Sequence, residues 1–384
     1  MVDKGQAFLG PHGSRRAAAR RGGRPRHHAV PGGLVLMLLV LPPLAGGRPG
    51  AHAAPAAPHG AAAVLQSPRP LAAATTATTT SGPTATPTST GLSDPVAMAA
   101  GDIACDPSDL HYNGGKGTGT FCMQRATSNE LSTAAAVLPL GDDQYNSGAL
   151  SAFQQVYDPT WGRYKSTTYP TAGNHEYQTS GAAGYYTYFG SAASPQDTNC
   201  TAHCKGYYSY DLGTWHIIAL NSECAQVGGC NEGSPQEQWL NADLAAHAAR
   251  CTLAYWHRPL FTSGVSSRSV SLGESAMHDI WADLYNAHAD LVLNAHAHIY
   301  ERFAPQDPSG NDDPTNGITE IVVGTGGGDH GSVGVIAANS VVRDNTTFGV
   351  LKLTLHPTSF DWQFLPETAS GNGTFTDAGS QVCH

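Results

Sequence analysis

Five times in this chain a short apolar run breaks off and a side chain able to bind a metal ion or carry a proton follows. Residues 96–100 lead to Gly101-Asp102, and residues 135–140 lead to Gly141-Asp142, with Tyr145 close behind. Residues 168–172 lead to Gly173-Asn174-His175-Glu176, residues 252–256 to His257, and residues 291–293 to His296 and His298. Short apolar runs bounded by turn residues read as buried strands, and open α/β sheets collect their functional groups at the strands' carboxyl edge. One carboxylate in such a place is as readily a structural cap as a ligand. Five deliveries in order point to a sheet-based fold with one shared polar site.

The remaining pattern fits. Helices are expected over residues 129–137, 149–157, 234–249 and 274–288, and further strands over 215–220, 318–323, 350–355 and 360–365. Ser234-Pro-Gln-Glu237 is a capping box with proline at the first helical position. Strands alternate with helices early and follow one another closely late, which gives an α/β fold of mixed sheets flanked by helices. No period of 20–50 residues recurs, so a repeat architecture is excluded.

Charge divides the chain in two. The first 69 residues hold nine of the 20 Lys/Arg and only one of the 30 Asp/Glu, leaving the rest with a formal charge of −18. An acidic body argues against nucleic acid as a partner. Residues 34–45 form an apolar core that is too short and too proline-broken for a membrane span, which needs about 20 residues. With the basic stretch before it and Ala51-His-Ala53 as a small-x-small cleavage site, residues 1–53 read as a secretory signal with a basic n-region. An uncleaved anchor is the alternative. Residues 54–93, rich in Ala, Thr and Pro, read as a disordered linker, and residues 94–384 as the folded domain. The expected location is secreted or cell-surface, with no stable membrane insertion after signal removal; the oligomeric state is open. All eight cysteines follow the linker, which implies disulfides. Eight allow 105 pairings; proximity favours 105–122, 200–204 and 224–230, leaving 251 with 383.

Carboxylate, phenol, amide and imidazole donors without thiolates suit Fe, Zn or Mn. Two cations about 3.5–4 Å apart need an anionic bridge, which one shared Asp can provide. His296-x-His298 on an extended segment would place both rings on one face. Other chemistries fit poorly: there is no Gly-x-Ser-x-Gly elbow, and Thr179 stands where a zinc-protease motif starting at His175 needs its second His. Gly324-Thr-Gly-Gly-Gly328 lacks the lysine of a phosphate loop and reads as a turn lining the site's rim.

Gly101-Asp102, Gly141-Asp142-x-x-Tyr145, Gly173-Asn-His-Glu176, Ala254-x-x-His257 and His296-x-His298-x-Tyr300-Glu301-Arg302 together resemble the ordered motifs of calcineurin-like metallophosphoesterases, specifically the purple acid phosphatase branch. The resemblance implies a four-layer αββα sandwich of two mixed sheets between helices, carrying two metal ions. Asp102, Asp142, Tyr145 and His298 would hold the first ion, Fe(III). Asn174, His257 and His296, with shared Asp142, would hold the second, which would be Zn, Fe(II) or Mn. Asp142 and His175 are the catalytic candidates, with His175 meeting the phosphate, as would Asn174, and aiding the leaving group. Three positions depart from patterns of the wider family or of the branch. Ala104 stands where many members of the wider family have His, Ala295 replaces the usual Gly before His-x-His, and the plant enzymes' extra substrate histidines are absent near Ser266 and Ser267. Arg258 and Arg268 are the nearby cations that could bind substrate instead. The implied activity is hydrolysis of small phosphate monoesters by metal-activated water. The alternatives are a phosphodiesterase or nucleotidase of the same superfamily, and a non-catalytic cell-surface module with a vestigial site.

Overall fold

The computed structural model describes residues 94–384 except Thr198 and Asn372. The expected signal peptide and linker lie outside the described residues.

Two mixed sheets carry the fold. The first holds Val96–Ala100 (β1), Ala136–Pro139 (β2), Gly349–His356 (β12), Ser359–Pro366 (β13) and Ala378–Val382 (β14), in the order β14-β13-β12-β1-β2. The second holds Tyr208–Leu212 (β3), Trp215–Ala219 (β4), Cys251–Tyr255 (β5), Leu291–Asn294 (β7), Tyr300–Phe303 (β8), Thr319–Val323 (β9) and Ser340–Asp344 (β11), in the order β11-β8-β9-β7-β5-β4-β3. A short ribbon pairs Gly264–Val265 (β6) with Ser332–Val333 (β10). Strands β4, β5, β7 and β9 run parallel, as do β1 and β2, so their carboxyl ends deliver side chains to common edges.

Strand periodicity explains the layering. Along β4, β5 and β7, Ile217, Leu253, Leu291 and Leu293 enter the core shared with Met98, Leu138, Leu351 and Phe364 of the first sheet. Their neighbours Ile218, Ala254 and Val292 point the other way, against Leu240, Ile280, Trp281 and Leu284. Because side chains alternate with period two, a strand buried on both faces is a continuous apolar run. The outer helices are Pro235–Ala246 (α4) and His278–Asn286 (α5). Ser234 caps α4, its Oγ accepting from Glu237 N–H at 3.4 Å, while the Glu237 carboxylate accepts from Gly233 N–H at 2.8 Å. Earlier in the chain, helices Gln124–Asn129 (α1), Leu150–Ala152 (α2) and Ala183–Phe189 (α3), with several single turns, complete a four-layer α/β arrangement. No helix among the described residues is long and apolar enough to cross a membrane.

One expectation shifts. Residues 129–137 are not one helix: α1 ends at Asn129, a 3-10 turn spans Glu130–Thr133, and Ala134 is already extended at ψ 126°. Residues 136 and 137 pair with Ala97 and Met98, so sheet hydrogen bonds and core burial override the alanines' helical propensity. The four disulfides join Cys105–Cys122, Cys200–Cys204, Cys224–Cys230 and Cys251–Cys383, the pairing that proximity favours.

Candidate metal centre

The polar loops after β1, β2, residues 168–172, β5 and β7 meet at one edge. Glycines make the approach possible. A Cβ on Gly101 would lie 2.4 Å from Ala295 Cβ, and one on Gly173 would lie 2.3 Å from Asp142 Oδ1. Asp102 (φ 57°), Asp142 (φ 48°), His296 (φ 66°) and His298 (φ 52°) all adopt left-handed backbone, a cost that clusters at functional sites.

Two halves can be distinguished. In the first, Tyr145 Oη donates to Asp102 Oδ1 at 2.7 Å and lies 2.9 Å from His298 Nε2, which is 3.2 Å from Asp102 Oδ1. His298 Nδ1 faces Asp329 Oδ1 at 2.5 Å, which fixes the ring and leaves Nε2 turned inward. In the second, His257 Nε2 lies 3.3 Å from Asp142 Oδ2 and 3.2 Å from His296 Nδ1. His257 Nδ1–H donates to Leu140 O at 2.9 Å, setting the same inward tautomer. Asp142, His257 and His296 each place one donor atom within 4.8 Å of the others. The His-x-His expectation needs correction here. The segment is not extended, both histidines are left-handed, and the two rings serve different halves.

Electrostatics follow from burial and pairing. Burial alone would raise the Asp142 carboxyl, but His257 outweighs it and holds the group well below the carboxylate range. His257 is pushed up to about 9, as Asp142 overcomes its burial. His296 falls to about 3 through burial and the neighbouring charges of His257 and Arg258. Asp102 is lowered because His298 outweighs burial, and the Tyr145 phenol is driven well up by burial and by Asp102.

This donor set fits metal ions. Most of the short contacts within the cluster join two groups that can both be ligands, so a cation would compete with a shared proton there. Asp102 Oδ2 and Asn174 Oδ1 are buried and accept no hydrogen bond among the described residues. Carboxylate and amide oxygens left bare in a protein interior are costly unless something positive meets them.

His175 stands beside the cluster. Its backbone N–H donates to Asp142 Oδ1 at 2.8 Å, its Nδ1 lies 2.6 Å from Asn146 O, and its Nε2 is 3.9 Å from Asp142 Oδ2. Arg258 reaches the second half, with Nη1 3.1 Å from His296 Nε2 and Nε donating to Glu223 at 2.6 Å. Arg268 is not brought in; it is exposed on the turn that Ser269 N–H closes onto Ser266 O.

The decisive comparison concerns the span that holds four of these five loops, all but the one carrying Asp102. The family model for calcineurin-like phosphoesterases matches residues 108–300. The chain belongs to the calcineurin-like phosphoesterase family. Purple acid phosphatase 22 of Arabidopsis thaliana is 27% identical over 238 residues, 55% of this chain and 52% of that protein. Acid phosphatase type 7 of Homo sapiens is 27% identical over 190 residues, 44% of this chain and 41% of its own length. The chain thus spans about half, or less, of these relatives, and it falls in the purple acid phosphatase-like branch. Among solved structures, a purple acid phosphatase from yellow lupin seeds aligns with a TM-score of 0.57 at 19% identity, covering 76% of this chain and 54% of its own. GAP50, the anchor in the inner membrane complex of Plasmodium, aligns at 0.53 and 14%, covering 76% and 89%. At such identities the likeness concerns the fold.

Two residues of this centre escaped the sequence reading of roles. Glu176 is fully buried, and its carboxylate accepts from Asp142 N–H (3.0 Å), Gly173 N–H (2.8 Å) and Gln144 N–H (3.2 Å). It staples the Asp142 loop to the Asn174 loop, and burial with the nearby Asp142 charge raises it to about 8. Its position in the Gly-Asn-His-Glu string was the only available signal. Asp329, behind His298, left none.

Proposed function

We propose that this protein is an exported hydrolase of small phosphate monoesters, with residues 94–384 as its catalytic domain and two metal ions at the cluster. The observation that supports this reading best is the convergence of five separate loops on one patch of inward-turned donors, two of whose buried oxygens have no hydrogen-bond partner among the described residues. Asp102, Asp142, Tyr145 and His298 would hold one ion, and Asn174, His257 and His296 with shared Asp142 the other. Bound there, the ions supply Lewis-acid activation of water and charge neutralisation on the phosphoryl oxygens. A phenolate from Tyr145 is a hard anionic donor and suits a ferric first site.

The chain's own groups do the rest. Asp142 anchors both halves, and Glu176 fixes its backbone. His257 and His298 keep their donor tautomers through Leu140 O and Asp329. His175 would give a proton to the departing alkoxide, a role supported by its ring sitting beside Asp142 without lying within the ligand cluster. Arg258 adds positive charge at the edge of the second half, where a phosphate oxygen would approach. Metal analysis with matched aryl mono- and diesters tests the reading. The expected outcome is two ions per chain and faster monoester hydrolysis; a diester preference would move the protein to the phosphodiesterases, and bound metal without turnover to the non-catalytic modules.

A further inference from the structure

A cavity of about 330 Å³ opens directly beside the first half of the metal cluster. Tyr145, His175 and His298 reach it from the cluster side, and the loop closed by the Cys105–Cys122 disulfide supplies its outer wall. On that wall His111 stacks on Phe121, with ring centroids 4.3 Å apart and planes 21° from parallel. A second aromatic pair, Tyr145 edge-on to His175 at 4.5 Å, lines the same space. The charged residues of the lining are Asp106, Asp109 and Asp329; no Lys or Arg is among the described residues that line it. Asp329 is engaged by His298, and Asp109 is held by His111 through its backbone N–H at 2.7 Å and its ring at 3.0 Å. Asp106 accepts from Ser108 N–H at 2.8 Å and from the Ser108 hydroxyl at 2.5 Å.

These features bear on the alcohol part of the ester. An ester reacting at the cluster, with His175 beside its leaving oxygen, would project that alcohol into this cavity. We infer that the cavity selects phosphate monoesters of phenols whose ring carries a neutral or cationic substituent, and turns away esters bearing further anionic groups. The inference rests on the monoesterase reading above. The flat His111–Phe121 surface offers a ring-stacking partner, and aromatic pairs of this kind contribute about two- to tenfold in affinity. Carboxylates with no Lys or Arg among the described lining residues attract a positive group and repel a negative one, and the effect is weakened by salt. Polyphosphorylated substrates would meet this wall with the wrong sign.

The test uses the full-length, metal-loaded protein and four esters. Tyramine O-phosphate and 4-(carboxymethyl)phenyl phosphate have similar phenol leaving groups and opposite charges on the far side of the ring. Phenyl phosphate and glycerol 2-phosphate serve as neutral aryl and alkyl references. The expected kcat/KM is about tenfold higher for the tyramine ester than for the carboxymethyl ester at low ionic strength, narrowing toward parity in 1 M salt. Asp109→Asn should cut that ratio about threefold, read against phenyl phosphate in the same variant so that any general loss cancels. Phe121→Leu should shrink the aryl advantage over glycerol 2-phosphate without changing the charge ratio. Equal or reversed preference between the two charged esters, with phenyl phosphate still hydrolysed, overturns the inference and leaves the monoesterase reading standing. No turnover of any of the four overturns both.

Discussion

His175 offers the sharpest test at the scale of single residues. Its ring lies beside Asp142 at 3.9 Å and outside the Asp142–His257–His296 group, which supports the proposed role as general acid. General acid catalysis typically contributes ~10²–10⁴-fold, and its value grows with the basicity of the leaving group. His175→Ala should therefore cost far more with an alkyl phosphate than with nitrophenyl phosphate, while metal content stays unchanged. Equal losses on both esters would reduce the residue to phosphate positioning. Glu176 makes a different prediction. Removing its side chain leaves three buried backbone N–H groups without their acceptor, and each such loss costs about 1–3 kcal/mol. Glu176→Ala should lower the unfolding free energy by several kcal/mol in denaturant titration, about 3 or more; a change under about 1 kcal/mol would contradict the stapling role. The proposed ligands were legible in the sequence because strand ends announce themselves. Glu176 was not, since all its partners are backbone groups, two of the three some 30 residues away, and backbone leaves no mark in a sequence pattern.

Among the elements, the link between the edge of the second sheet and α4 runs through His216. This buried ring on β4 meets Asp243 of α4 at 2.8 Å and Asp211 of β3 at 3.3 Å. Burial opposes its charge, but the two carboxylates prevail and raise its pKa above the ordinary value. A raised histidine stabilises the fold fully below its unfolded pKa of about 6.5, and that contribution is lost as pH climbs through the folded value. The melting-temperature advantage of wild type over His216→Asn should thus be largest near pH 5.5–6 and shrink on the alkaline side. An advantage that grows with pH would refute the charged pairing. The parallel strands, α4, α5 and β12–β13 were readable from period and caps. Less so were β3, β14 and α3. The first two are edge strands with exposed or polar faces, and α3 is buried on nearly every side, so no apolar stripe marks it. The stretch 129–137 misled because alanine favours helices wherever tertiary pairing does not decide.

For the whole molecule, the claim is that the fold exists to bring five loop ends to one dinuclear centre. Net charge supports an anionic substrate only through that centre, since the body beyond residue 69 carries a formal −18. Asp142 alone is proposed to touch both ions, so its loss should remove metal and catalysis together, whereas Asn174→Ala should mainly deplete the second ion. The most direct measurement is metal content per chain alongside phenyl phosphate turnover, in purified full-length wild type and Asp142→Ala. The account predicts two ions and turnover in the wild type, with both lost in the variant. An Asp142→Ala protein that keeps two ions and near-normal turnover would contradict it.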